Sequence, residues 1–127
     1  MARIVVVEPD KHLASIYMQA LEHAGHSVYL AATIERAVAI LDSKAIDMLI
    51  VELQIAQHNG IELLYELRSY ADWNRVRIII QSYIPEGRMM SSQTVKHLGV
   101  DSYLYKPKTS LFELCATVQN VLDRQTV

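Results

Sequence analysis

Several residues able to carry or bind charge stand directly at the ends of short apolar segments. Glu8 and Asp10 follow Ile4-Val5-Val6-Val7, and Glu52 follows Met48-Leu49-Ile50-Val51. Ser82 follows Ile78-Ile79-Ile80-Gln81, and Lys106 closes Tyr103-Leu104-Tyr105 ahead of Pro107. Brought to one place, they form a crevice of carboxylates with one hydroxyl and one ammonium. Neighbouring carboxylates repel, and both stay ionised where a cation offsets them. Lys106 can supply that cation from within the chain. Mg²⁺ is another source, since it favours carboxylate and carbonyl oxygens.

The intervening segments must bring these ends together. Five short segments rich in β-branched residues read as strands: Ile4 to Val7, Ser27 to Ala31, Met48 to Val51, Arg77 to Gln81 and Ser102 to Tyr105. Three are apolar almost throughout, the pattern of central strands covered on both faces. Between them run stretches with helical spacing. After Asp10, the residues Leu13, Ile16, Tyr17, Ala20, Leu21 and Ala24 make one stripe, with Asp10 as N-cap and Gly25 as stop. A second helix follows Thr33, a third follows Asn59-Gly60, a weaker one runs from Met89 to Leu98 and ends at Gly99, and the last follows Ser110 to Leu122. Strand and helix alternate five times, which predicts a parallel α/β sheet with helices on both faces. In such sheets function gathers at the carboxyl ends of the strands, where the charged residues lie.

At 127 residues, the chain is one domain's worth, read as a single domain over 1–127. Residues 123–127 read as the start of a linker to an effector domain. The hydrophobic fraction of 51% with 20% charged residues excludes disorder. No apolar run approaches the roughly 20 residues of a membrane span. A net charge of −2 gives no broad nucleic-acid footprint. The single cysteine, Cys115, cannot form an internal disulfide, which with the missing signal sequence fits a cytoplasmic protein. A nucleotide- or flavin-binding enzyme of similar topology needs a glycine-rich turn after the first strand. This chain has Glu8-Pro9-Asp10-Lys11 there, and the acids repel phosphate.

The residues at these ends make the chain resemble the receiver domain of two-component response regulators over nearly its whole length. The matching features are Glu8 after the first strand, Glu52 closing the third, Asn59-Gly60 before the third helix, Ser82 closing the fourth, and Tyr103-x-x-Lys106-Pro107 closing the fifth. The resemblance implies a (βα)5 flavodoxin-like three-layer sandwich with strand order 2-1-3-4-5. It implies a phosphoryl acceptor at position 52, phosphoryl-oxygen contacts from Ser82 and Lys106, and Tyr103 as the aromatic readout. Mg²⁺ would be held by Glu8, Glu52 and the backbone of Gln54, beside an acidic pocket of Glu8 and Asp10. Partners would be a histidine kinase, an effector domain or another signalling protein, met through the face of the fourth helix, fifth strand and fifth helix. The domain is not expected to be an enzyme, to touch nucleic acid or membrane, or to be more than a monomer or weak dimer.

Four positions depart from that pattern. Glu52 replaces the acceptor aspartate, Pro9 replaces the second acid, Ala56 replaces a proline, and Tyr83 follows Ser82 where a small residue keeps the site open. Glutamate carries its carboxylate roughly 1–1.5 Å further out than aspartate. Misplacement of this size costs about a hundredfold in a transfer governed by position. The longer side chain reaches toward Lys106 and Ser82, into the space a phosphoryl group would fill. Pro9 removes a hard ligand, so Mg²⁺ binding is expected to be weak or lost, and no cofactor is expected. The expected site is closed by a contact between Lys106 and the carboxylates, and signalling proceeds without phosphorylation. The alternative is a conventional Mg²⁺-dependent phospho-accepting receiver that tolerates these changes.

The remaining candidates read as structural. His23 and His26 lack the further ligands of a zinc site. Cys115 lies on the apolar stripe of the last helix, and Trp73 lies in a loop. Met89 and Met90 read as helix packing, or as an adaptable partner surface. Asp101 and Glu113 resemble acids of a known dimer interface in this family, but Thr117 stands where its arginine is expected.

Overall fold

The computed structural model describes residues 1–55, 58–88 and 91–124. Ala56, Met89, Met90 and residues 125–127 of the expected linker lie outside them. Five strands, β1 (Arg3–Val7), β2 (Ser27–Ala31), β3 (Met48–Val51), β4 (Arg77–Ser82) and β5 (Ser102–Tyr105), form one sheet. All pairings are parallel, in the order β2-β1-β3-β4-β5. The helices are α1 (Lys11–His23), α2 (Ile34–Ser43), α3 (Gly60–Ser69), α4 (Ser92–His97) and α5 (Leu111–Asp123). The fold class is the one expected. One difference is a two-residue antiparallel ladder, Gln54–Ile55 against His58–Asn59, in the loop after β3. No helix among the described residues is long and apolar enough to cross a membrane.

The unbroken apolar strands have a simple cause, because alternate side chains face opposite layers. Val5, Val7, Leu49, Val51, Ile78 and Ile80 pack with α2 and α3 through Ile40, Leu41, Leu63, Leu64 and Leu67. Ile4, Val6, Met48, Ile50 and Ile79 pack on the other face with Tyr17 and Leu21 of α1 and Leu114, Val118 and Val121 of α5. Each fully buried side chain of this size contributes roughly 1.5–3 kcal/mol of transfer free energy. Those contributions fix the register and therefore the relative heights of the strand ends.

Caps fix where the helices begin. Asp10 accepts from the amides of His12 and Leu13, Thr33 from Arg36, and Asn59 from Ile61. Ser110 and Glu113 form a capping box at α5. The fourth helix begins at Ser92 rather than Met89, because the Ser91 hydroxyl accepts from the Thr94 amide and sets the boundary. Likewise β4 runs one residue further than expected, to Ser82, which pairs with Tyr105. Cys115 is free and only partly buried at the edge of the α1–α5 layer, and burial pushes its thiol pKa up. Trp73 packs against the core and meets Tyr70 edge-on.

Candidate functional site

Adjacent strand ends place the two carboxylates side by side. The Glu8 amide donates to the Ala31 carbonyl, and the Glu52 amide donates to the Val7 carbonyl, both at 3.0 Å. The ladder pattern thus extends one residue past β1 and β3 and aims both side chains over the sheet end. The loop after Glu52 returns tightly. The Gly60 amide donates to the Leu53 carbonyl at 2.7 Å. A Cβ at Gly60 would stand 2.9 Å from the Glu52 carbonyl oxygen and 3.1 Å from Leu53 Cα. Only glycine lets α3 start this close to the carboxylate-bearing strand.

Lys106 closes the crevice from the other side. It opens a short 3₁₀ turn, Lys106–Lys108, held by Pro107 and by a 2.8 Å bond from the Thr109 hydroxyl to the Tyr105 carbonyl. Its Nζ lies 2.5 Å from Glu8 Oε1 and 2.7 Å from Glu52 Oε1, with all three side chains at most 4% exposed. The expected contact between Lys106 and the carboxylates is present. The Tyr83 ring covers it, 4.5 Å from Nζ, in a cation–π position, while remaining 53% exposed on its outer side. Burial presses the Lys106 pKa down, but the hydrogen bonds and charges of Glu52 and Glu8 outweigh it, and the net shift is upward. The ammonium is held charged between two carboxylates.

Glu52 uses every remaining acceptor position. Its Oε1 also receives the Tyr83 amide at 3.2 Å, and its Oε2 receives the Gln54 amide at 3.1 Å. Ser82, fully buried, donates its hydroxyl to Glu52 Oε2 in a short hydrogen bond. The Ser82 oxygen in turn accepts from the Ile84 amide at 3.1 Å, and the Ile84 carbonyl accepts from the Tyr103 hydroxyl at 2.5 Å. A continuous chain therefore runs from the Glu52 carboxylate through the β4–α4 loop to the aromatic of β5. Burial raises the Tyr103 hydroxyl pKa, so it remains a donor at neutral pH.

The expected residues are not all brought together. Glu8, Glu52, Ser82 and Lys106 meet, and Tyr103 joins through Ile84. The Asp10 carboxylate is turned away to cap α1, and only its amide reaches the cluster, donating to Glu8 Oε2 at 3.0 Å. Gln54 contributes its amide to Glu52, and its side chain is exposed. Backbone amides of Asp10, Gln54 and Tyr83 thus complete the site, and residue-type reasoning misses them because any residue but proline supplies one. Beneath the site, Gln81 is buried with Oε1 unpartnered. Its position inside an apolar strand carried no sequence signal. Of the histidines, His26 is buried and accepts from the Ala2 amide through Nδ1.

The donor set bears directly on Mg²⁺. That ion requires near-octahedral oxygen ligation and several retained waters. Glu8 and Glu52 instead direct one oxygen each at the Lys106 ammonium and the other at amide or hydroxyl donors. No cluster of three or more histidine, cysteine or acidic side chains arranged for a metal occurs among the described residues. In this arrangement the residues do not fit the ion.

Fold and strand-end residues together define a receiver. A family model for the response regulator receiver domain matches residues 4–119, and the chain belongs to that family. It is 31% identical over 124 residues to the transcriptional regulatory protein CpxR of Klebsiella pneumoniae subsp. pneumoniae, covering 98% of this chain and 50% of CpxR. It is 28% identical over 105 residues to the alginate biosynthesis transcriptional regulatory protein AlgB of Pseudomonas aeruginosa, covering 83% of this chain and 22% of AlgB. The chain thus spans half or less of the length of these two relatives. A two-component response regulator from Clostridium difficile superposes with a TM-score of 0.86 at 26% identity, covering 100% of both chains. The non-phosphorylated HemR receiver domain of Leptospira biflexa gives a TM-score of 0.88 at 20% identity over 100% of this chain and 98% of that one, a likeness of fold.

Proposed function

We propose that this receiver works in two-component signalling without phosphorylation, with the Glu52 carboxylate standing in the phosphoryl position. One observation carries the reading: Glu52 binds both Ser82 and Lys106, the side chains that the family assigns to phosphoryl oxygens. The carboxylate supplies one negative charge where a phosphoryl group supplies roughly two. The lower charge is offset by shape, since the longer side chain reaches its partners directly. The chain of bonds through Ser82 and Ile84 then holds Tyr103 in place, and with it the surface made by α4, β5 and α5. On this reading the domain is not an enzyme, takes no Mg²⁺, and resides in the cytoplasm. It meets a histidine kinase, an effector domain or another signalling protein through that surface and makes no direct contact with nucleic acid.

The test is incubation with acetyl phosphate and Mg²⁺ followed by intact-mass and peptide analysis. The expected result is no phosphoryl gain at Glu52, and no Mg²⁺-dependent change in Tyr fluorescence at low millimolar concentration. Stoichiometric phosphorylation of Glu52 would establish the conventional phospho-accepting alternative instead.

A further inference from the structure

The layer between the sheet and helices α1 and α5 is built of apolar side chains, and Gln81 interrupts it. Gln81 stands two residues past Ile79 on β4, so strand alternation turns it toward that layer. It is 4% exposed, and its Oε1 has no hydrogen-bond partner among the described residues. A buried carbonyl left unpaired is costly, and a fourth isoleucine after Ile78, Ile79 and Ile80 would avoid the cost. The other end of the amide meets Tyr17, the buried tyrosine of α1. Burial pushes the Tyr17 hydroxyl pKa up against the pull of a hydrogen bond from the Gln81 side chain, and Lys106 and Glu8 are close enough to act on it by charge. A hydrogen bond that lowers a phenol's pKa is one donated to its oxygen, so it comes from the amide nitrogen and leaves Oε1 over.

Val7, Val51 and Ile80 share one rung of the sheet, so Glu8, Glu52 and Gln81 stand level one residue further on. Their oxygens are unequally used. Glu52 takes four hydrogen bonds, a full complement for a carboxylate. Glu8, equally buried, takes two among the described residues, from Lys106 and from the Asp10 amide. Its remaining lone pairs and Gln81 Oε1 make the place rich in acceptors and short of donors. Two carboxylates against one ammonium also leave it negative.

We propose that Gln81 Oε1 and Glu8 hold one ordered water between them, which joins Tyr17 of α1 to the charged cluster. A water brings two donor hydrogens, one for the Gln81 carbonyl and one for a Glu8 oxygen. Its own oxygen accepts from the Tyr17 hydroxyl, which gives it the roughly three partners usual for a buried water. A neutral donor suits the place because Lys106 already acts as the cation. The water site does not rest on Glu52 replacing a phosphoryl group.

A high-resolution crystal structure and a urea series, both on the whole 127-residue chain, test it. The crystal structure is expected to show one water within about 3.2 Å of both Gln81 and Glu8. Direct contact between Gln81 and Glu8, or no water at Gln81, overturns the proposal. In the urea series, Gln81→Met is made in a Tyr17→Phe background, so that only the carbonyl end of the amide is at stake. With the water held, the substitution removes a satisfied group, and the unfolding midpoint falls by at least about 0.3 M. A midpoint that stays or rises shows that Gln81 Oε1 had no partner to lose, and overturns the proposal. A parent midpoint that differs between Na⁺ and K⁺ at equal ionic strength assigns the place to a metal cation and overturns the choice of water.

Discussion

Arg68 and Lys106 are both drawn out of water, and they are satisfied in opposite ways. Arg68, near the end of α3, donates to four backbone carbonyls, those of Leu98, Gly99, Asn74 and Val76, at 2.7–3.0 Å. Its partners are neutral, and burial lowers its pKa. Lys106 faces two carboxylates, and its pKa is raised against the pull of burial. The guanidinium is a brace: its planar fork of donors ties α3 to the two loops that lead into β4 and β5. The ammonium is one member of a charged cluster that carries a net charge of −1 out of water. A brace needs only donors in a fixed geometry. A buried cluster with charge left over is an arrangement suited to handling a further charge, or, on the proposed reading, to replacing one.

The largest expected effect follows from removing Lys106. Lys106→Met leaves two buried carboxylates facing each other without a cation, and such a loss costs about 3 kcal/mol or more. Chemical denaturation at pH 7 reads it, and Mg²⁺ at millimolar concentration should restore part of the loss, because the freed oxygens then become available to it. Arg68→Met should cost less, about 2 kcal/mol, since the abandoned carbonyls near the surface can take water, and Mg²⁺ should restore nothing. An equal response of both variants to Mg²⁺ would remove the distinction between cluster and brace. His26 extends the comparison at the smallest scale. Burial lowers its pKa, and its neutral ring accepts from the Ala2 amide. A depressed folded pKa means that its contribution is present above about 6.5 and lost as pH falls through the lowered value. Between pH 7 and 5 the parent should lose stability relative to His26→Asn, which keeps a neutral acceptor, and chemical denaturation at the two pH values reads the difference.

Much of this was legible in the residues. Alternation of apolar strands with capped helices defined the sheet, because burial on both faces leaves a distinct pattern and Asp10, Thr33 and Ser110 announce the helix starts. Glu8, Glu52, Ser82 and Lys106 were identifiable because strand-end position and charge type coincide. Asp10 shows the limit: its charge fits the pocket and its position fits a cap, and the geometry of the first helical turn decided for the cap. The short ladder around residues 54–59 was not legible, since two-residue strands leave no periodicity. Nor was the path from Glu52 to Tyr103, which runs through the amide and carbonyl of Ile84 and not through its side chain.

Glu52 is tied to Tyr103 through Ser82 and the β4–α4 loop. The most direct test of that link is a comparison, by solution NMR, of the Tyr103 side-chain rotamer and the Ile84 amide in the parent and in Glu52→Ala. A single Tyr103 rotamer and a protected Ile84 amide are expected in the parent, with rotamer averaging and faster Ile84 exchange in the variant. The same fixed Tyr103 and protected Ile84 in folded Glu52→Ala would contradict it.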